Sequence, residues 1–573
     1  MPESSAKYGV HQLLERFKAF GLTHVVISPG SRNAPLTLSI FNDKAFKSYS
    51  VPDERSAAFY AVGMAQQLQK PVAVLCTSGS ALLNYYPAVA EAFYRNIPLV
   101  VISADRPLEW TDQGDGQTIR QEGVLRNHIL AEVNLYENPS NENRKWFNER
   151  EIDHLMNIAN EKGGPVHINF PFDEPLYEKS EAQNAKSVQI REWWGGKSDL
   201  TASQWEKLTV EWNRSPKKMI ICGQLPKNKR LQNRLMELSK DRSVAILVEN
   251  TSQLVFNGFI HCIDRTLNSI LTKDHKKAFS PDLLITIGGA VISKKIKHFL
   301  RDFKPNYHWK IGAEFPFMDT YQSLSKSVNM SPDDFFESLL SQPVKHHLSR
   351  FGEQWKQLDY LVQNKHQDYL DNVNFSDLAV FHLLMDVVPD QSVLHLGNSS
   401  VVRYSQLFDP VHSIVYYCNR GTSGIDGSTS TAIGSAMVDE STLHTLISGD
   451  VSFFYDSNAF WNKYLPANFR IFVINNGGGG IFKIIPGPDT TTALDEHFVT
   501  KHGFSAEYIC KAFDVNYMQA HSIKEIEKLL PDFYSHHDNN RPVLMEVFTL
   551  HDENDKILKD YFKNVAVEPK IFD

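Results

Sequence analysis

The chain has 573 residues, of which 42% are hydrophobic and 22% are charged, a balance that is ordinary for a globular protein. Its net charge of −8 gives no support to nucleic-acid binding, and its scattered cysteines form no CxxC pair, which argues against structural zinc and for a reducing compartment. No apolar run approaches the ~20 residues of a membrane span, and the first residues lack a basic-then-apolar signal pattern. We therefore expect a cytoplasmic protein without a membrane span that folds into about three or four domains.

Residues 1–180 alternate strand and helix patterns. Apolar runs that end at polar turns predict strands over 23–28, 47–51, 72–76, 99–103 and 166–169, and a helix over 55–67. Because strands that alternate with helices usually pair in parallel, this part of the chain predicts a doubly wound sheet. The chain then turns polar from residue 178 to about 190, which is typical of a linker.

Two further blocks repeat this pattern. Strands are predicted over 218–222, 243–248 and 283–287 in the second block, and over 392–396, 443–448, 469–474 and 543–548 in the third. A charged helical stretch near 340–375 joins the two blocks, and a helix of small residues is predicted over 431–437. The predicted fold class is therefore α/β, with three doubly wound parallel-sheet domains over residues 1–180, 191–345 and 360–573.

Polar residues follow two of the predicted strands in the third block. Gly449-Asp450 comes directly after one strand, and Asn475-Asn476 and four glycines come after the next, with a helix predicted over 458–464 between them. Ligands of parallel sheets bind at the carboxyl ends of the strands, where these residues would meet. A carboxylate, an amide oxygen and a glycine backbone suit a Mg²⁺ ion that also carries a diphosphate. Either half alone is common at ordinary strand ends, but both halves around one βαβ unit predict a metal-diphosphate site.

This arrangement resembles the diphosphate-binding motif of the thiamin-diphosphate enzymes. The resemblance implies that Asp450, Asn476 and the backbone carbonyl of Gly478 hold Mg²⁺ or Mn²⁺, and that Val451 and Ser452 lie beside thiamin diphosphate. Val451 stands where the family usually has glycine. The resemblance also implies a pyrimidine-binding domain, a central domain without cofactor and a diphosphate-binding domain, in that order along the chain.

Two more positions match cofactor-binding residues of the same family. Glu54, beside the start of the predicted helix, matches the catalytic glutamate that hydrogen-bonds the aminopyrimidine and drives cofactor activation. In the segment Ser423-Gly424-Ile425, the isoleucine matches the apolar residue that holds the cofactor in its bent form. From the residues alone, Glu54 could equally complement a helix dipole, and Ile425 could be a core side chain.

Four segments, 27–36, 103–107, 397–403 and 419–427, resemble one branch of this family, the 2-succinyl-5-enolpyruvyl-6-hydroxy-3-cyclohexene-1-carboxylate synthases of menaquinone biosynthesis. The branch implies a transferase that decarboxylates 2-oxoglutarate and adds the resulting carbanion to isochorismate by conjugate addition. Both substrates are dicarboxylates, so a protein of net charge −8 must concentrate cations around them. The matched substrate-binding positions are Ser31, Arg32, Arg106, Gln117, Lys294, Ser399, Arg403, Arg420 and the apolar pair Ile481 and Phe482.

We predict that these groups are divided between the two substrates. Ser399 and Arg403 are expected to bind 2-oxoglutarate, and the cations Arg32, Arg106 and Lys294 are expected to bind isochorismate. Residue 31 is expected to open a helix, whose N-terminus would favour an anion.

Glu54 and Asp450 lie in different predicted domains, and in the family the pyrimidine domain of one chain faces the diphosphate domain of another. The resemblance therefore implies a homodimer with shared active sites, or a homotetramer that contains such dimers. A face of small residues at Ala57, Ala61 and Ala65 fits close helix packing at that contact, although a helix buried within one subunit would show the same pattern.

Other functions remain open from the sequence. One alternative is another thiamin-diphosphate decarboxylase or carboligase such as an acetohydroxyacid synthase, although cations at residues 31–32 and 399–403 suit dicarboxylates better than pyruvate. A second is a non-catalytic, cofactor-free relative that acts as a binding subunit, against which the intact Glu54, Asp450 and Asn476 argue. A nicotinamide dehydrogenase is disfavoured because no predicted strand leads into GxGxxG with a following acidic residue.

Overall fold

Three parallel sheets, each covered by helices, form the protein, as predicted from the alternating pattern. The computed structural model describes residues 3–181, 188–196, 198–485, 487–535 and 540–572. Neighbouring residues of one strand, such as Ile220 and Ile221, belong to different buried clusters, so both faces of the sheet are covered. This burial on two faces explains why the strands read as continuous apolar runs. Within the described ranges, no helix is both long enough and apolar enough to cross a membrane.

The first unit ends at residue 181. In chain order its elements are β1 (Glu3–Ser5), α1 (Tyr8–Ala19), β2 (His24–Ile27), α2 (Ala34–Asn42), β3 (Lys47–Ser50), α3 (Glu54–Leu68), β4 (Val72–Cys76), α4 (Ser80–Asn84), α5 (Tyr86–Arg95), β5 (Leu99–Asp105), β6 (Glu132–Asn134), α6 (Glu142–Lys162), β7 (Val166–Pro171) and β8 (Lys179–Glu181). The parallel sheet has the order β3-β2-β4-β5-β7-β6, and β1 pairs with β8 in a separate antiparallel ribbon. The prediction that the linker begins at residue 178 is therefore wrong, because residues 179–181 form β8, which pairs with β1. Residues 182–187 of that linker lie outside the described residues.

The second unit has a five-stranded sheet. Its elements are α7 (Ala202–Arg214), β9 (Lys218–Cys222), α8 (Lys229–Leu238), β10 (Val244–Val248), α9 (Ile263–Leu267), α10 (Lys273–Phe279), β11 (Leu283–Ile287), α11 (Lys294–Asp302), β12 (Tyr307–Ile311), β13 (Lys326–Val328) and α12 (Pro332–Leu340). The sheet order is β10-β9-β11-β12-β13, and all pairs are parallel. The charged stretch predicted after this unit contains the long helix α13 (Phe351–Leu370).

The third unit carries the predicted metal cassette. Its elements are α14 (Asp377–Val387), β14 (Val393–Leu396), α15 (Ser400–Ser405), β15 (Val415–Cys418), α16 (Ser428–Met437), β16 (His444–Gly449), α17 (Asp450–Tyr455), β17 (Phe469–Asn475), α18 (Ile481–Ile484), α19 (Glu507–Ala512), β18 (Asn516–Ala520), α20 (Ile523–Phe533), β19 (Val543–Phe548) and α21 (Asn554–Asn564). The sheet order is β15-β14-β16-β17-β19-β18. Because β16 and β17 are parallel neighbours, the two polar strand ends of the cassette lie side by side.

The helix predicted over 458–464 is wrong in its type and extent, because the structure has only a short 3₁₀ helix at Ser457–Phe460. The helix that follows β16 is α17, which begins at Asp450 directly after the strand. The side chain of Asn462 donates to the carbonyl of Ala459 at 3.0 Å and accepts from the N–H of Tyr464 at 2.9 Å. Such local bonds replace helical backbone bonds, as asparagine side chains commonly do. The prediction that residue 31 opens the helix after β2 is also wrong, because that helix begins at residue 34.

Helices α3 and α16 join the first unit to the third. Gly63 of α3 and Gly434 of α16 let the two backbones approach, since a Cβ at either position would stand 2.2 Å or less from a carbonyl oxygen of the other helix. The predicted face of small residues, Ala57, Ala61 and Ala65, is fully buried inside this single chain. The sequence left two explanations for this face, a contact between subunits or a helix buried within one subunit, and the structure shows the second. The small face therefore gives no support for a contact between subunits.

Candidate active site

Asp450 lies at the carboxyl end of β16 with its side chain buried. Its Oδ2 accepts the N–H groups of Gly477 and Gly478 at 2.8 and 2.9 Å, and its Oδ1 accepts the N–H of Val451 at 2.7 Å. The carboxylate therefore ties the end of one strand to the glycine turn after the next. Among the described residues, Oδ1 accepts only that one hydrogen bond and keeps a second lone pair, so the same carboxylate can also bind a cation through Oδ1.

Asn476 lies just after β17, and its side chain is also buried. Its Nδ2 donates to a carboxylate oxygen of Asp377 at 2.9 Å, whereas its Oδ1 has no hydrogen-bond partner among the described residues. Nδ1 of His551 lies 2.7 Å from the backbone carbonyl oxygen of Asn476. Buried polar atoms nearly always have partners, so an unpartnered oxygen next to the turn held by Asp450 indicates a place for a bound cation.

Gly478 completes the predicted ligand set through its backbone. Its φ is 150°, and a Cβ at this position would stand 2.7 Å from the carbonyl of Val499, so the turn requires glycine. A carboxylate, an amide and a backbone carbonyl are oxygen ligands that fit Mg²⁺ or Mn²⁺. Within the described parts of the chain, no group of three or more His, Cys, Asp or Glu side chains could hold a metal alone. A metal here would need further ligands from a phosphate group or water.

The segment from Ser423 to Ile425 is held beside this cassette. Ser452 Oγ donates to the carbonyl of Ile425 at 2.9 Å, and Asn398 Nδ2 donates to the carbonyl of Gly424 at 2.7 Å. Ser423 adopts a φ of 64°, a left-handed conformation that is uncommon for serine. The side chain of Ile425 is only half-buried, so it is not an interior core residue and can present apolar surface to a ligand.

Glu54 is the first residue of α3 and is half-buried. Burial raises the pKa of its carboxyl, a backbone hydrogen bond opposes this rise, and nearby Asp53 adds to it. Asp53 caps the helix by accepting the N–H of Ser56 at 3.0 Å, and it also accepts from Asn458 at 2.8 Å. No hydrogen bond or ion pair joins Glu54 to Asp450 within this chain, as far as the structure describes it.

Arg32 and Arg106 lie near one another beside the carboxyl ends of β2 and β5. Arg32 is buried, donates to the carbonyl of Phe172 at 3.0 Å and pairs with Glu174 at 3.3 Å, while Arg106 pairs with Asp115 at 2.9 Å. Burial lowers the pKa of Arg32, and the charge of Arg106 lowers it further. Two neighbouring guanidinium groups that disfavour each other's charge create a local preference for anions.

The loop between β5 and β6 carries Gln117, which is exposed and has a φ of 55°. Its backbone lies against Gly79, where a Cβ would stand 3.1 Å away. Gln121, further along this loop, is buried; it accepts the N–H of Gly79 at 2.8 Å and donates to the carbonyl of Ala104 at 3.1 Å. Sequence reasoning missed Gln121, which ties the loop to the ends of β4 and β5.

Ser399, Arg403 and Arg420 lie together at the carboxyl ends of β14 and β15. Arg403 donates to the backbone carbonyl of Ser399 at 2.5 Å, and Arg420 donates to Asn398 at 2.9 Å. Burial lowers the pKa of Arg403, and the charge of Arg420 lowers it further. This pair is a second local concentration of positive charge, on a different unit from the first.

Two charged groups of the second unit lie near Arg420, and sequence reasoning missed both. Glu249 is buried and accepts the N–H groups of Ile292 and Ser293 at 2.7 and 2.8 Å, directly before α11. Burial raises the pKa of Glu249 to about 7. Lys297 lies near both Glu249 and Arg420, and burial lowers the pKa of its ammonium group. No motif marks either residue in the sequence.

The remaining predicted substrate residues lie at the edges of these groups. Lys294 is exposed at the start of α11, and Ser31 is exposed before α2. Ile481 is buried and Phe482 is half-buried at the start of α18, directly after the glycine turn of the cassette. The apolar pair therefore lies next to the predicted metal site.

Comparison with known proteins identifies the family. Residues 7–124 match "Thiamine pyrophosphate enzyme, N-terminal TPP binding domain" and residues 185–396 match "Middle domain of thiamine pyrophosphate", where thiamine pyrophosphate is another name for thiamin diphosphate. Relatives named 2-succinyl-5-enolpyruvyl-6-hydroxy-3-cyclohexene-1-carboxylate synthase are similar over nearly their whole length. The protein of Christiangramia forsetii is 45% identical over 562 residues (94% of this chain and 96% of the relative), and that of Flavobacterium johnsoniae is 44% identical over 557 residues (97% and 98%). That of Porphyromonas gingivalis is 38% identical over 576 residues (98% of each chain). The chain therefore belongs to the 2-succinyl-5-enolpyruvyl-6-hydroxy-3-cyclohexene-1-carboxylate synthase family of thiamin-diphosphate-dependent enzymes.

Proposed function

We propose that this protein decarboxylates 2-oxoglutarate and adds the remaining succinic semialdehyde unit to isochorismate, giving 2-succinyl-5-enolpyruvyl-6-hydroxy-3-cyclohexene-1-carboxylate and CO₂ in menaquinone biosynthesis. The names of its relatives support this reaction. The observation that carries it in this chain is the presence of two guanidinium pairs, Arg32 with Arg106 and Arg403 with Arg420, on two different units. Two dicarboxylate substrates need two such concentrations of positive charge.

Thiamin diphosphate, when bound, supplies a nucleophilic carbon and an electron sink. We propose that Asp450, Asn476 and the carbonyl of Gly478 hold the divalent metal, Mg²⁺ or Mn²⁺, and that Val451 and Ser452 lie beside the diphosphate. The unpartnered Oδ1 of Asn476 and the glycine turn that Asp450 holds support this set.

Glu54 is proposed to exchange a proton with the aminopyrimidine of the cofactor. A half-buried carboxyl whose pKa is raised holds a proton more readily near neutral pH than an exposed one does. Ile425, with Ser423 and Gly424, is proposed to support the bent form of the cofactor, and the half-exposed position of its side chain is compatible with that contact.

The two guanidinium pairs are proposed to bind different substrates. Ser399 and Arg403, beside Arg420, would bind 2-oxoglutarate. Arg32, Arg106, Lys294, Ser31 and Gln117 would bind isochorismate, and Ile481 and Phe482 would form an apolar wall. Arg32 and Arg106 pair with the protein's own carboxylates, so a dicarboxylate that binds there would exchange with those partners.

The active unit is proposed to be a homodimer, or a homotetramer of such dimers, in the cytoplasm. Residues 1–180 would bind the pyrimidine, 191–345 would form the central domain and 360–573 would bind the diphosphate. Arg55, next to Glu54, donates to the carbonyl of Tyr455 at 2.8 Å. Tyr455 is the last residue of α17, and Asp450 is the first. The support for a site in which Glu54 faces the Asp450 of a second chain is the resemblance to the family, in which the pyrimidine domain of one chain faces the diphosphate domain of another.

The test is an assay with the purified full chain, thiamin diphosphate, Mg²⁺, 2-oxoglutarate and isochorismate, in which the loss of isochorismate is followed. We expect turnover that requires both substrates, and no turnover when pyruvate replaces 2-oxoglutarate. The Asp450→Ala variant is the matched control and should be inactive at low Mg²⁺. Equal turnover with pyruvate would instead favour a carboligase of the acetohydroxyacid synthase type, and no loss of isochorismate with either donor would refute the proposal.

A further inference from the structure

Asp377 is a buried carboxylate in direct contact with a proposed metal ligand, although it belongs to a distant part of the chain. It begins α14, and its side chain is 3% exposed. Oδ2 accepts from Nδ2 of Asn476 at 2.9 Å, and Oδ1 accepts from Oγ1 of Thr549 at 2.6 Å. Its backbone N–H donates to Oδ1 of Asn554 at 2.8 Å. The residue is therefore held in place by groups directly after β17, directly after β19 and at the start of α21.

The contact between Asp377 and Asn476 decides which end of the amide faces the metal site. An asparagine side chain has a donor end and an acceptor end of nearly equal shape, and it can turn by half a rotation. An ionised carboxylate only accepts hydrogen bonds, so the end beside Asp377 must be the NH₂ group. The opposite end is then Oδ1, the buried oxygen that has no partner among the described residues.

A metal ligand must present an oxygen rather than an NH₂ group, because Mg²⁺ is bound by oxygen atoms and an amide nitrogen carries hydrogens instead of a free lone pair. The hydrogen bond to Asp377 thus leaves the amide in the one orientation that can ligate. Outer groups of this kind commonly orient the residues that bind the metal directly.

We propose that Asp377 is a positioning residue of the metal site, whose carboxylate fixes the amide of Asn476 so that Oδ1 faces the divalent cation. The proposal rests on the proposed binding of metal and thiamin diphosphate at Asp450 and Asn476. The positioning role adds to that proposed function, because it makes the metal affinity depend on a residue that touches neither the metal nor the cofactor.

The experiment measures the Mg²⁺ concentration that gives half-maximal binding of thiamin diphosphate to the full chain, by calorimetric titration and without turnover. Asp377→Asn should raise that concentration about tenfold to a hundredfold, because the new amide can donate to Asn476 and turn it around. Thr549→Val is the matched control, since it removes the other hydrogen bond of the same carboxylate, and it should change the requirement by less than about threefold. An equal shift in both variants would overturn the proposal in favour of a general packing effect.

A swap of the two side chains gives the decisive result. In the double variant Asp377→Asn with Asn476→Asp, the amide at 377 donates to the carboxylate at 476, whose second oxygen again faces the metal. We expect the Mg²⁺ requirement to return to within about threefold of the wild type, whereas a purely structural role of Asp377 would leave it as high as in Asp377→Asn. Thermal unfolding without metal checks that each variant folds, and if the single variant does not, the swap alone decides.

Failure of the inference can be told apart from failure of the proposed function. If Asp450→Ala weakens binding of thiamin diphosphate at low Mg²⁺ but Asp377→Asn does not, the metal site stands and the positioning role is refuted. If Asp450→Ala leaves cofactor binding unchanged, the metal site itself is wrong, and the role of Asp377 falls with it.

Discussion

Gly63 of α3 lies against the backbone carbonyl of Thr431 in α16, so closely that a Cβ at position 63 would stand 1.9 Å from that oxygen. The two helices belong to the first and third units, so this contact fixes one unit against the other. Helix backbones come this close only where a side chain is absent. The residues proposed to bind the pyrimidine and the diphosphate are thus carried on units whose relative position is fixed by the packing of two helices.

Gly63→Ala is therefore expected to destabilise the protein. Overpacking a well-packed contact costs about 1–3 kcal/mol, and here the obstacle is backbone rather than a movable side chain. We expect a lower midpoint of thermal unfolding, measured on the purified chain by circular dichroism. Gly196→Ala is the matched control, because a Cβ there meets nothing within 4 Å. An equal change in both variants would contradict the close contact.

Glu54→Gln should keep the fold and lose most turnover. The amide cannot exchange the proton that the half-buried carboxyl is proposed to exchange, and positioned proton transfer is commonly worth about 10²–10⁴ in rate. Steady-state kcat at saturating thiamin diphosphate is the measurement. The neighbouring Asp53→Asn keeps an acceptor for the cap of α3 and should retain turnover, so comparable losses in both variants would point to the helix rather than to Glu54.

The apolar strands and their polar ends could be predicted because their signal is local. Runs such as Val72–Cys76 and Leu283–Ile287 match the predicted ranges residue for residue, since a strand buried on both faces admits few polar residues. The ends that carry Asp450 and Asn476 follow from the same runs. The helix predicted over 458–464 is only a short 3₁₀ helix at Ser457–Phe460, because the side-chain bonds of Asn462 compete with the helical backbone bonds beyond it.

Groups that act through distant partners gave no local signal. Glu249 accepts N–H groups more than forty residues away, and Asp377 contacts Asn476 ninety-nine residues away. Neither stands in a motif, so only the folded chain reveals their partners. Gln121 is a similar case, because its role depends on the strand ends of β4 and β5 rather than on its neighbours in sequence.

Substitution of the two proposed substrate groups should separate the two substrates. Arg403→Ala is expected to raise the KM for 2-oxoglutarate, and Arg32→Ala the KM for isochorismate. Loss of a charge-assisted hydrogen bond costs about 1.5–3 kcal/mol, or roughly ten- to a hundredfold in kcat/KM. Steady-state kinetics in which each substrate is varied separately is the measurement, and each variant serves as the control for the other. An increase in only the 2-oxoglutarate KM for Arg32→Ala would contradict the division.

Glu249 should make the unfolding free energy of the wild type fall as pH rises. Burial raises its pKa to about 7 in the folded protein, whereas an unfolded glutamate titrates near its ordinary value of about 4.3. Between these values the folded state binds the extra proton, so stability is lost as pH rises through this window, by an amount on the order of 3 kcal/mol. The charged and titratable groups near this carboxyl include Asp264, Arg420, Lys297, Tyr321 and Cys418.

Urea unfolding midpoints of the wild type and Glu249→Gln at pH 5, 6, 7 and 8 test this dependence. The variant loses one acceptor for the N–H groups of Ile292 and Ser293, which lowers its stability by a similar amount at every pH. Its stability relative to the wild type should nevertheless improve from pH 5 to pH 8, because the titrating group is gone. Parallel pH profiles for the two proteins would refute the prediction.

A mixed dimer should recover activity if the active site is shared between subunits. Glu54 and Asp450 form no hydrogen bond or ion pair within the described residues of one chain, and Asp53 and Arg55 hold the start of α3 beside residues 455–458. Glu54→Gln and Asp450→Ala chains are each expected to be inactive alone at low Mg²⁺. Co-expressed chains that pair at random should show roughly a quarter of wild-type activity, since half of the dimers contain one site with both groups intact.

Tagged chains of each type allow the mixed dimer to be purified and assayed. The matched control is a mixture of Glu54→Gln chains with chains that carry both substitutions, because such a mixed dimer has no intact site. Mixed dimers that form and stay inactive, or a fully active monomer in sedimentation at the assay concentration, would rule out the shared site.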